Sequence, residues 1–289
     1  MMKIFMYLAI SLLLWPTWVK ANENTETIIT NPANSAQDSR FEYPMLLLQE
    51  ALERTVDRFG PYKIQQYPTP VSRQRALVKL MNGEITVFDA ATRQEWETAA
   101  LPIRIPLRKG LQGYRLFLIR SEDQKKFNQI NTLDDLLRFR MGGGQQWSTT
   151  LALKRLNIDV IGGNAYEPLF KMLIQNRFDY FPRGVNEAFR EKEEHENIYP
   201  NLRVEENLAL YMPLPTYFFI SPLKPKLAKR IEIGLLSMIE DGTFEKIFST
   251  YHQRDLKKAN LSARKILKIQ NLNLSNETPL DKAELWYQP

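Results

Sequence analysis

Three stretches of this chain carry residue types suited to gripping a charged small molecule. Residues 142–150, GGGQQWSTT, read as a glycine-rich turn opening a helix. Backbone N–H groups at a helix start, with the positive end of the helix dipole, suit an anion or a carboxylate. Ser148 and Thr149 either add hydroxyls to such a site or cap the helix, and Trp147 either stacks on a ligand or packs in the core. The run lacks the Gly-Lys-Ser/Thr ending of a nucleotide-binding loop, so ATP is not implied. The second stretch is Pro182-Arg183-Gly184, followed by Asn186 and Glu187. A guanidinium facing a cleft takes an acidic or hydrogen-bond-accepting group, whereas a salt bridge to Glu187, one helical turn on, makes the same side chain structural. The third is residues 89–96, DAATRQEW, which offers the Thr92 hydroxyl and the Arg93 guanidinium.

Other chemistries lack the residues they need. The chain has no Cys, which removes disulfides, zinc-thiolate sites, a cysteine nucleophile and a lipid-attachment cysteine. Its only histidines, His195 and His252, stand in polar surroundings, so neither a metal site nor a Ser-His-Asp arrangement is supported, and no cofactor is implied. Glu187, Glu95 and Asp89 are the carboxylates near these stretches, and acid catalysis would require one to be desolvated with a raised pKa.

The elements that must position these residues alternate between strand and helix. Residues 1–21 read as a cleavable signal peptide: Lys3 gives the positive start, residues 4–15 an apolar stretch short for a membrane span, and Val19-Lys20-Ala21 a cleavage site. Removing Lys3 and Lys20 takes the formal charge from +6 to +4, a balance that does not point to nucleic acid. A free periplasmic protein is expected. Residues 27–30, 62–67 and 85–88 read as strands separated by two amphipathic helical patterns, giving βαβαβ. In such units the functional loops follow the strands' carboxyl ends, here after Thr30 and Phe88. Residues 114–119 form a strong strand signal, and 138–141, 158–161 and 178–181 repeat the strand-then-helix cycle. Thr132-Leu-Asp-Asp135 has the form of a capping box. The charged run 191–196 reads as the solvated end of a helix, residues 255–268 as a helix or partner surface, and Leu285-Trp286-Tyr287 as a docked tail.

The order of elements, the phrase RALVKLMNG before a short strand, the segment PIRIPLRKGLQGY and the run RFDYFPRG resemble the bacterial extracellular solute-binding proteins of family 3. The resemblance implies an α/β, type 2 periplasmic binding-protein fold. Each of its two lobes would be a mostly parallel sheet flanked by helices, with two crossover strands as hinge. Residues 22–113 and 217–289 would form one lobe and 114–216 the other. In this family the loop after the strand equivalent to residues 85–88 carries small hydroxyls and then an arginine for a ligand carboxylate. Here Thr92 keeps a hydroxyl, Trp96 stands near the expected arginine and Arg93 is the nearby substitute. The second lobe's donors would lie among Gly144, Gln145, Gln146, Trp147, Ser148 and Thr149. Where amino-acid receptors commonly place an aspartate for the ligand's ammonium, this chain has Pro182, Arg183 and Gly184, then Asn186 and Glu187. Asn31, ending the first strand, is a further candidate. The implied function is a monomeric solute receptor, not an enzyme, that delivers a small polar, acidic ligand to an ABC permease or membrane sensor. A dehydratase-like enzyme on the same fold is one alternative. The other is a receptor acting through protein contacts, which a cleft filled by its own side chains would favour.

Overall fold

The computed structural model describes residues 25–32 and 41–289, so the expected signal peptide lies outside the described residues. Among these residues the strands are β1 (Glu26–Thr30), β2 (Tyr62–Gln66), β3 (Val87–Ala91), β4 (Leu101–Ile103), β5 (Tyr114–Arg120), β6 (Met141–Gly144), β7 (Val160–Gly163), β8 (Phe181–Gly184), β9 (Leu202–Val204), β10 (Leu208–Tyr211), β11 (Thr216–Ile220) and β12 (Lys265–Lys268). One sheet has the order β2-β1-β3-β11-β4 and a second the order β12-β10-β5-β8, with β9 also on β5 and β6 paired to β7. In the first, β1 runs parallel to β2 and β3, and β11 is antiparallel to β3 and β4. Only β11 is reversed in that sheet. The second repeats the plan: β5 is antiparallel to β8, β9 and β10, while β12 runs parallel to β10. Two mostly parallel sheets flanked by helices are the architecture the sequence led us to expect.

Both faces of strand β11 are covered, and its run TYFFI is apolar apart from Thr216. Along β11, Phe218 and Ile220 pack with Leu47, Leu48, Ile231 and Leu235 on one face. Tyr217 and Phe219 join Leu77, Leu80 and Trp96 on the other. Helix Pro225–Glu240 reaches helix Glu42–Glu53 so closely that a Cβ on Gly234 would lie 2.1 Å from the carbonyl oxygen of Ala51. A backbone group cannot swing aside as a side chain can. Gly234→Ala is therefore expected to destabilise the fold by about 1–3 kcal/mol in urea unfolding, and an unchanged midpoint would mean the helices separate freely.

The chain passes from the first sheet to the second between β4 and β5 and returns between β10 and β11. These connections touch where the Met212 N–H donates to the Gly113 carbonyl at 3.1 Å. The segment after β12 runs back over both. Asn271 Nδ2 donates to the Pro213 carbonyl at 2.9 Å, and the Tyr287 N–H to the Lys109 carbonyl at 2.7 Å. Trp286 is 5 % exposed and lies over Gly110, so the tail docks on the hinge.

Several elements differ from expectation. The glycine run 142–144 belongs to strand β6, and its lack of side chains is a packing requirement: a Cβ on Gly142 would lie 2.4 Å from the Phe178 ring. Pro182-Arg183-Gly184 likewise belongs to strand β8, whose end-of-order place in its sheet tolerates a proline. Residues 265–268, assigned to the first lobe, form β12 on the second sheet, and helix Thr243–Ala259 occupies the start of the lysine-rich stretch. Glu191 and His195, read as solvated, are buried, because one face of helix Val185–His195 turns inward. The Thr132–Asp135 capping box is present, with the Asp135 N–H donating to Thr132 Oγ1 at 3.1 Å.

Candidate functional site

A cavity of about 1190 Å³ opens between the two sheets, beside the connections that join them. Thr30 and Asn31 reach it from the end of β1, residues 87–91 from β3, and Trp147 and Thr149 from the segment after β6. Arg108, Gln112, Arg115 and Thr216 line it from the connecting segments and the strand ends beside them. Asn186, Glu187, Arg190, Glu191 and Glu194 line it from one helix. Their spacing of three and four residues is that of a single helical face.

Its charge is organised around arginines. Arg73, Arg93, Arg108, Arg115, Arg183 and Arg190 line the cavity, against Asp89, Glu187, Glu191 and Glu194. Arg183 is 6 % exposed and pairs in fork geometry with Glu191, with Nε and Nη2 each 2.5 Å from a carboxylate oxygen. Its guanidinium also lies 4.6 Å from the Trp147 ring centroid and 5.0 Å from that of Phe181. Burial works against this charge, but Glu187 and Glu191 outweigh it and raise its pKa. Glu187 Oε2 accepts from the Gly184 N–H at 2.8 Å and lies 3.3 Å from Arg183 and 3.5 Å from Arg115. Burial pushes the Glu187 carboxyl up, yet Arg183 and Arg115 together hold it down at about 2. A carboxyl held ionised in this way cannot serve as a general acid near neutrality. Burial lowers the pKa of Arg115, with Glu187 acting against it, and Arg115 Nη2 donates to Thr149 Oγ1 at 3.0 Å.

Asn31, Arg93, Trp147, Thr149, Arg183 and Asn186, singled out from the sequence, all line this cavity. Asn31 Oδ1 also accepts from the Val71 N–H at 3.2 Å. Thr92 does not line it: its side chain is buried and donates to Glu97 Oε1 at 2.5 Å. Gln145 lines an adjoining cavity of about 210 Å³, bounded also by Gly163, Asn164 and Tyr166. Ser148 is the first residue of helix Ser148–Arg155. Trp96, where the family's arginine was expected, is 1 % exposed and packs against Phe88 and Phe219 with centroids 5.2 Å away. Of the carboxylates named as acid candidates, Glu95 is exposed and accepts from Gln74 Nε2 at 3.0 Å. Among the described residues no group of three or more His, Cys, Asp and Glu side chains is placed to hold a metal ion.

Sequence reasoning missed Arg73, Arg108, Arg115 and Arg190. Arg115 had a signal, being the charge inside the otherwise apolar run 114–119. Arg190 had another, because it follows Asn186 and Glu187 at helical spacing.

No protein-family model matches the chain, and no curated protein matches it by sequence. Solved structures do match. One is the probable amino-acid ABC transporter extracellular-binding protein of Bacillus subtilis, with 16% identity over 78% of this chain and 97% of that one, TM-score 0.55. An arginine transport-system periplasmic binding protein from Legionella pneumophila shares 16% identity over 78% and 99%, TM-score 0.54. An ancestral arginine-binding protein bound to glutamine shares 16% over 78% and 96%, TM-score 0.50. With the sheet topology above, these likenesses show that the chain has the type 2 periplasmic binding-protein fold.

Proposed function

We propose that this protein is a periplasmic solute-binding protein that captures a small polar, acidic ligand between its lobes. It presents that ligand to an ABC importer or a membrane sensor, as a monomer and without chemistry. The observation that carries this reading is the interlobe cavity of about 1190 Å³, walled by charged side chains from both lobes and from the segments joining them. Contacts from both walls make ligand affinity greatest when the lobes close, so binding becomes a shape a partner can read. The solved proteins of this fold are named as binding proteins of amino-acid transport, which agrees with the reading. A cavity of that size does not suit a receptor whose cleft is filled by its own side chains, and the ionised Glu187 does not suit a dehydratase acid.

A thermal-shift screen of the mature chain tests this against carboxylates, amino acids, polyamines and short peptides. A saturable rise in Tm is expected with at least one acidic compound, of several degrees once its concentration exceeds Kd about a hundredfold. Product formation in the same mixtures would replace the receptor with an enzyme.

A further inference from the structure

We infer that residues 269–289 form a strap on the outer side of the hinge that limits how far the two lobes close over the cavity. Such a strap acts on the hinge whichever solute the cavity takes.

The two connections between the sheets have a cavity side and an outer side. Arg108, Gln112, Leu214 and Thr216 line the cavity. Their neighbours Lys109, Gly110 and Pro213 meet the strap instead. The Tyr287 N–H donates to the Lys109 carbonyl at 2.7 Å, and Asn271 Nδ2 donates to the Pro213 carbonyl at 2.9 Å. A Cβ on Gly110 would lie 2.3 Å from the Trp286 ring, whose Nε1 donates to the Pro279 carbonyl at 2.8 Å. Among the described residues none after Phe218 lines the cavity.

The strap is also tied to both lobes. On the second, the Ile269 N–H donates to the Tyr211 carbonyl at 2.9 Å, and Arg155 Nη1 donates to Asn273 Oδ1 at 2.5 Å. Arg155 ends the helix Ser148–Arg155, about 9 Å along its axis from the cavity-lining Thr149. On the first lobe, Glu277 Oε2 lies 2.8 Å from Arg104 Nη1, and Arg104 is held in turn by Glu97 at 3.0 Å. Tyr287 packs against Phe248 of helix Thr243–Ala259 with centroids 5.9 Å apart.

Lobes that swing together over a cavity on one side of their hinge move apart on the other. Closure therefore draws Arg155 away from Arg104 and pulls on the chain between Asn273 and Glu277. That stretch has slack, because it is folded into turns. The Leu274 N–H donates to the Asn271 carbonyl at 3.3 Å and the Thr278 N–H to the Ser275 carbonyl at 3.0 Å. The slack is finite, since the four residues from one tie to the other reach at most about 14 Å when fully extended. The strap thus yields while its turns open and then stops the swing.

Distances between the lobes test this, and a sequence without cysteine allows labels to be placed at two chosen positions. Arg75→Cys follows the cavity-lining Ser72 and Gln74, and Asn197→Cys stands three residues past Glu194 on the other wall. Both positions are exposed, and spin labels there report the interlobe distance of the ligand-free mature chain by pulsed dipolar spectroscopy. Trp286→Ala unseats the strap from Gly110. The double variant Asn273→Ala, Glu277→Ala cuts one tie to each lobe and leaves Trp286 in place, so it decides the matter if the first variant fails to fold. Its urea midpoint is expected to be unchanged. In both variants the distance distribution is expected to extend below the parent's by about 3 Å or more, the reach of one residue. Distributions that superimpose on the parent's overturn the inference. They would assign the restraint to helices Val185–His195 and Thr243–Ala259, where Glu193 lies 3.5 Å from Arg254. A shift to longer distances also overturns it, by showing that the segment draws the lobes together. Neither result touches the receptor reading, which rests on the cavity.

Discussion

Replacing Arg183 with Met is expected to destabilise the ligand-free protein by about 3–5 kcal/mol. Glu191 is 1 % exposed and loses both of the N–H groups that satisfy it, while Glu187 keeps Arg115 and the Gly184 N–H. The cost comes from stranding a carboxylate in a place water cannot reach, rather than from the intrinsic strength of the pair. That distinction is measurable. The double variant Arg183→Met, Glu191→Met removes the stranded charge along with its partner and is expected to recover most of the loss. Urea unfolding of the two single variants and the double completes the cycle. A loss below about 1 kcal/mol in Arg183→Met, the level of an exposed pair, would show that Arg183 is held by solvent and is available to grip a ligand directly.

Acid is expected to unfold the protein earlier than its carboxylates alone require, and His252 is the reason. The ring is 1 % exposed, it lies 4.9 Å from Tyr43 and 5.1 Å from Phe248 and Tyr251, and neither nitrogen has a hydrogen-bond partner among the described residues. Burial, aided by Arg108, pushes its pKa down to about 3 from 6.5. The folded state therefore binds fewer protons than the unfolded chain between those values, so stability falls as pH drops from 6.5 toward 3 and is unaffected above 6.5. At roughly 1.4 kcal/mol per pH unit, the loss reaches several kcal/mol. Glu187 has the same sign in a lower window, its contribution disappearing only between 4.5 and about 2. His252→Phe keeps the ring contacts and removes the titration. Its unfolding free energy is expected to be level between pH 6.5 and 5, where the parent's already declines. A parallel decline in both proteins would assign the acid sensitivity to other groups.

The parts of this molecule legible in its sequence are those where one physical signal acts alone. β11 could be read because both of its faces are buried, and the Thr132 cap because its hydrogen bonds are local. Where two signals share one pattern, the reading slipped. Glycine and proline mark turns, but in β6 and β8 they mark a backbone pressed against an aromatic ring and the end of a sheet. Charged residues at helical spacing describe a solvated face as well as one turned inward onto a buried partner, as Glu191 is onto Arg183. Residues following strand ends, such as Asn31 and Arg93, were found because parallel sheets place their loops together. Arg73, opening the helix after β2, held a position of the same kind that went unread, whereas Arg108 lies in the irregular segment between β4 and β5, where no periodic pattern marks it.

The tail that covers the hinge also sets an order of events. Polypeptides are made from the amino end, and every strand of both sheets precedes residue 269. The strands named above are thus made before the segment that covers the connections between the sheets. Asn271, Trp286 and Tyr287 reach Pro213, Gly110 and Lys109 only when the last part of the chain has been made. Loop-closure entropy grows slowly with length, so this distant return adds little cost over a nearer one. The contacts of the tail with the connecting segments are therefore the last of those named here to become available.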